Sequence, residues 1–269
     1  MGADSTKRTI WLGCLMLILA TTFAFGQGIV AGNIAGTVLD PQKAVLAGAK
    51  VGAKNVATSV EFKGTTNDQG YFSIRSIPPG TYRVAVEAPN FKRLDIDGVD
   101  VATGATTDMG ALTLALGTTA ETVTVEGAAP LIETTSAQGG ASFNATAATN
   151  LPLNGGFDQL ALFTPGVQTT GNAGMFANSN GAGFGINGQR DRSNTFQIDG
   201  QFNNDTVVTG PAIFFGNQDA LQEVQVVTNN FGVEYGRTSG GTINYVTKQG
   251  TNNFHGSAFE YYTGNGATP

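Results

Sequence analysis

A chain of 269 residues has room for about two domains of the usual ~100–200 residues. Its 38 glycines and its low charged fraction of 13% favour short strands and tight turns over long solvated helices, because Gly costs about 1 kcal/mol in a helix interior. A net charge of -6, with no Lys/Arg run in the body of the chain, argues against nucleic-acid binding, which normally leaves a basic footprint.

The N-terminus reads as a secretory signal. Lys7 and Arg8 give a positive start, Ile10 to Phe25 is almost wholly apolar, and Ala24-Phe25-Gly26 sets small residues before Gln27. The competing reading is a membrane anchor, but the apolar stretch of about 16 residues is shorter than the ~20 that span a bilayer. Cys14, the single cysteine, lies inside this segment, so a mature chain from Gln27 would hold no disulfide and no thiol.

From about Gly32 to Leu116 the pattern is all-β. Ile34–Leu39 reads as a first strand, and Lys50, Gly52 and Lys54 alternate with Ala49, Val51 and Ala53. Asn67-Asp68-Gln69-Gly70 and Pro78-Pro79-Gly80 are turns. Phe72 and Ile74 share one face, as do Tyr82, Val84 and Val86, and Leu112, Leu114 and Leu116 close the domain. Six or seven short strands in this span predict a small β-sandwich. Residues 118–150 read as an Ala/Thr/Ser/Gly linker. From Leu151 to Thr247 the chain is rich in Gly, Asn and Phe, with apolar positions at Leu160, Leu162, Phe163, Val224, Val226, Val227, Ile243 and Val246 that favour an α/β domain with long ordered loops over disorder.

The first domain resembles the carboxypeptidase regulatory-like, transthyretin-like domain through Ile34-Ala-Gly-Thr-Val-Leu-Asp40, Thr66-Asn-Asp-Gln-Gly-Tyr-Phe72 and Ile77-Pro-Pro-Gly-Thr-Tyr82. That resemblance implies a fold and no peptidase chemistry: the one histidine, His255, is distant, and a zinc peptidase needs several ligands. Three later segments, Leu151–Val167, Ile186–Gly200 and Gln222–Thr228 followed by Glu234–Lys248, resemble in order the plug of the Oar-like and SusC-like branches of TonB-dependent receptors. Gly236, Gly240 and Gly241 suit strands packed closely inside a lumen, although glycines also serve ordinary turns. Many such plugs carry Arg-Gly-Pro where Thr228-Asn229-Asn230 stands here, so any role of that arginine does not transfer.

Within this resemblance Glu121, Thr122, Val123, Thr124 and Val125 match the TonB box, an extended segment able to add as a strand to a partner sheet. The bland alternative is a last strand of the sandwich. Arg190, Asp191, Arg192 and Asp199 form a plug charge cluster that could meet one another, the barrel wall, a ligand or only solvent. Gly183-Phe-Gly-Ile-Asn-Gly188 has dinucleotide-loop spacing without the strand-to-helix setting such a site needs. Phe254–Tyr262 resembles a first transmembrane strand, with Tyr261 and Tyr262 as interfacial aromatics. The residues from there to Pro269 are too few for a plugged barrel of about 22 strands.

The expected fold is mainly β: a transthyretin-like β-sandwich, then an α/β plug, with only the start of a transmembrane β-barrel. The expected division is a signal peptide at 1–26, the sandwich at 27–117, a linker with the TonB box at 118–150, the plug at 151–250 and the barrel start at 251–269. The resemblance implies energised uptake at the outer membrane of a Gram-negative cell, on its periplasmic side. The implied partners are TonB, driven by ExbB–ExbD, a β-barrel, and an extracellular ligand for which an oligosaccharide is one option. No enzyme chemistry, cofactor or metal is expected. The alternative of a different class is a secreted or periplasmic carbohydrate-binding or adhesive β-rich module.

Overall fold

A computed structural model describes residues 30–118, 122–126, 138–151, 157–170, 183–207, 210–213, 217–232, 235–236, 238–254 and 256. The expected signal peptide, Glu121, His255 and most of the expected barrel strand lie outside them.

Seven strands build the first unit: β1 (Gly32–Leu39), β2 (Lys50–Asn55), β3 (Glu61–Thr65), β4 (Tyr71–Ile77), β5 (Gly80–Glu87), β6 (Arg93–Val101) and β7 (Thr106–Thr113). An eighth, β8 (Thr122–Glu126), joins them. They form a three-stranded sheet, β4-β1-β7, and a five-stranded sheet, β3-β2-β5-β6-β8. Period-two alternation explains the sandwich: β5 buries Tyr82, Val84 and Val86 and turns Thr81 and Arg83 outward. These side chains meet Ile34, Phe72, Ile74, Ile77 and Leu114 in one apolar cluster. The Asn67–Gly70 turn closes with Gly70 N–H on the Asn67 carbonyl at 2.9 Å, while the Asn67 side chain accepts from the Gln69 and Tyr71 amides at 3.0 Å each. Leu116 departs from the expected closing stripe and stands exposed.

The second unit is a five-stranded mixed sheet in the order β13-β12-β15-β14-β9, with a separate β10-β11 pair. Its strands are β9 (Gly139–Asn144), β10 (Val167–Thr169), β11 (Phe184–Ile186), β12 (Thr195–Ile198), β13 (Gln201–Phe202), β14 (Leu221–Asn229) and β15 (Thr242–Thr247). β12 runs parallel to β15, and β14 is antiparallel to both β15 and β9. Asp199 and Gly200, both at positive φ, form the two-residue turn between β12 and β13. Phe157, Leu160, Phe184, Ile186, Phe196, Val224, Val226 and Ile243 supply the core.

The helical share expected of this unit is slight among the described residues. It consists of α1 (Ala145–Asn150), whose first turn is capped by the Asn144 side chain accepting from Ala147 N–H at 2.8 Å, and three 3-10 segments. Small and polar residues dominate the connections, so they cannot present the apolar stripe that holds a long helix to a sheet. The expected linker is also more ordered than its composition suggests: β8 extends the sandwich, and β9 and α1 open the second unit. After β15 the chain returns to the sandwich, where the Asn252 side chain donates to the Thr58 carbonyl at 2.7 Å.

Candidate functional site

The segment Thr122–Val125 is delivered to its place by the corner between β5 and β6. After β7 the chain crosses from the small sheet to the large one. Lys92 N–H donates to the Ala115 carbonyl at 2.8 Å, Leu116 bridges Phe91, and Gly117 N–H donates to the Asn90 carbonyl at 3.2 Å. β8 then runs parallel to β6, with Thr122 opposite Arg93, Val123 opposite Leu94, Thr124 opposite Asp95 and Val125 opposite Ile96. Leu94 and Ile96 are buried members of the sandwich core. The two valines therefore continue the apolar stripe of β6 to its rim, remaining 41% and 49% exposed, and the threonines continue its charged face. β8 is the last strand of its sheet, so one side of its backbone is paired and the other is open.

A second feature joins the two units. Following β6, the Thr103–Gly104 turn reaches β14. Thr103 N–H donates to both Glu223 carboxylate oxygens at 3.3 Å, and the Gln225 amide donates to the Thr103 carbonyl at 2.7 Å. The Ser142 hydroxyl of β9 donates to Glu223, and the Tyr235 hydroxyl donates to the Gln225 side-chain carbonyl at 3.2 Å. Burial pushes the Glu223 carboxyl above its ordinary range, against the opposing pull of the hydrogen bonds from Ser142 and Thr103. Beside it lies an open cleft of about 420 Å³ between the units, lined by Thr81, Asp100, Thr107, Ser142, Asn144 and Glu223 among others. Sequence reading missed this contact. Glu223 and Gln225 alternate with Val224 and Val226, which marks them as the outer face of a strand. Nothing in the order of residues says that a sandwich loop covers that face.

The expected charge cluster does not assemble around one point. Both Asp199 oxygens are taken by Thr247, accepting from its amide at 2.8 Å and its hydroxyl at 2.7 Å. Asp191 accepts from the Arg192 amide at the start of its own 3-10 turn. No ion pair joins Arg190, Asp191, Arg192 and Asp199, all of which are described residues. Asp199 thus serves the β12–β13 turn and the end of β15. The glycine expectation divides. A Cβ on Gly241 would meet the Val227 carbonyl oxygen at 2.8 Å as well as Ile186, and one on Gly240 would crowd Ser193 and Asn194. Gly236 faces open space.

Residues 33–116 match the carboxypeptidase regulatory-like domain. Over 267 aligned residues the chain is 29% identical to the TonB-dependent transporter Oar of Myxococcus xanthus, a match that covers 92% of the chain. The chain is similar to a TonB-dependent transporter over most of its own length. It spans 23% of that transporter's length. Among solved structures, the Bacillus anthracis TIE protein is 22% identical over 32% of this chain and 17% of its own, with a TM-score of 0.27. A cohesin–X-dockerin complex from Acetivibrio cellulolyticus is 21% identical over 32% of this chain and 58% of its own, with a TM-score of 0.26. Likenesses this slight decide nothing, whereas the match to the TonB-dependent transporter takes in both the sandwich and the second unit.

Proposed function

We propose that this chain is the N-terminal periplasmic and plug portion of an outer-membrane TonB-dependent receptor. The signal peptide occupies residues 1–26, the second unit is the plug, and the residues from 251 onward begin the barrel. Glu121–Val125 is the segment that TonB grasps. TonB, energised by ExbB–ExbD, pulls on it, remodels the plug and admits a ligand bound on the outer side. The observation that carries this reading is the match to the Oar transporter across 92% of the chain. The segment Thr122–Val125 is the last strand of the sandwich's larger sheet, the alternative weighed for it; what geometry adds in support is that the segment is extended and paired along one edge only, the conformation that strand addition requires.

Strand addition depends on backbone groups, so its test is a backbone change. A peptide of residues 119–130 is titrated into the C-terminal domain of TonB. Val123→Pro removes an amide donor and restricts the chain, and it should weaken binding far more than Val123→Ala. Equal effects of the two substitutions, or a wild-type peptide that does not bind, would contradict the assignment.

A further inference from the structure

We infer that the edge of β6 is a storage site for the TonB-binding segment, so that the sandwich competes with TonB for the same strand. This deepens the proposed function and rests on it. The pairing with β6 gives the segment a defined home instead of a free linker. The register is chemically matched. Val123 and Val125 fall beside Leu94 and Ile96, and Thr122 and Thr124 fall beside Arg93 and Asp95. Without β8, β6 would be the unprotected end of its sheet, with its apolar rim uncovered. A partner that adds a strand takes its specificity from pockets for alternate side chains. The alternate side chains here are the two valines turned toward the sandwich core, so a partner that reads them must first lift the strand from β6. The hold is light: five residues, paired along one edge, with both valines about half exposed. That suits a segment meant to leave, because a strand stored nine-tenths of the time weakens an outside partner's apparent affinity about tenfold and no more.

The test compares the TonB C-terminal domain binding to the peptide of residues 119–130, to the chain, and to a chain carrying Asp95→Cys and Thr124→Cys, partners in register on the exposed face. The storage account expects the chain to bind about tenfold more weakly than the peptide. It expects the oxidised double variant to lose binding and to regain it on reduction. Equal binding by the oxidised and reduced forms would overturn storage while leaving the TonB assignment intact, since TonB would then be using the open edge. A peptide that fails to bind would overturn both. Hydrogen exchange on the unsubstituted chain checks the same point without a disulfide: within Thr122–Glu126 the alternate amides that face β6 should be protected, and exchange of all of them at the rate of free peptide would refute storage.

Discussion

At the scale of single residues, Glu223 is the position where chemistry and packing disagree most. Its carboxyl is buried between the units and holds Thr103 and Ser142, yet burial raises its pKa from 4.5. A group whose folded pKa is raised contributes stability that is complete below the unfolded value near 4.5. That contribution is lost as pH rises through the folded value, because the folded state binds the extra proton. Glu223→Gln keeps the shape and one acceptor oxygen for Thr103 and Ser142 without the charge. It should therefore gain on the unsubstituted chain as pH rises from about 4.5 to 7, measured by denaturant unfolding across that range. A constant difference would contradict the assignment. Glu223→Ala should cost about 1–3 kcal/mol at either pH by leaving the Thr103 amide unpaired. Gly241 supplies a sharper steric case. Gly241→Ala should cost about 1–3 kcal/mol, because its Cβ meets a backbone carbonyl that cannot swing away. Gly236→Ala should be nearly neutral, and unfolding midpoints separate the two. The sequence marked both glycines alike; only the neighbours of each backbone tell them apart.

At the scale of elements, the sandwich was readable where alternation is clean. β2 and β5 carry their buried residues at every second position, β4 does so as far as Ile74 before a register shift at Ser76 turns Ile77 inward, and both turn motifs bend the chain where expected. Its apolar cluster draws only on residues 34 to 114, so it needs nothing from the second unit. Residues 30–117 alone should unfold in one cooperative transition, and Phe72→Ala, which empties a fully buried site, should cost about 3–5 kcal/mol. A non-cooperative melt would refute an independent domain. β8 was harder to read. Thr-Val-Thr-Val is as suitable for a partner's sheet as for its own, and the choice of β6 depends on a crossing at the β5–β6 corner that local pattern does not encode. The second unit was harder still. Its strand β14 is buried on both faces, so its polar alternation gave no hint of the loop that covers it.

At the scale of the whole molecule, the proposed function would make the arrangement a path for force. A sandwich and a second unit share the Thr103–Glu223–Gln225 contact, and the chain connecting them carries the strand proposed to take the pull. Force applied at Thr122–Val125 reaches the sandwich through β6 and the second unit through the chain leading to β9. The central claim is that this strand is where TonB takes hold, and cross-linking in the cell addresses it directly. A photoreactive side chain is placed at Thr124, or at Val207 as an exposed control, in the exported chain of a Gram-negative cell that makes TonB. The account predicts a TonB adduct from Thr124 and none from Val207. Adducts of equal yield from both positions, or none from Thr124, would contradict it.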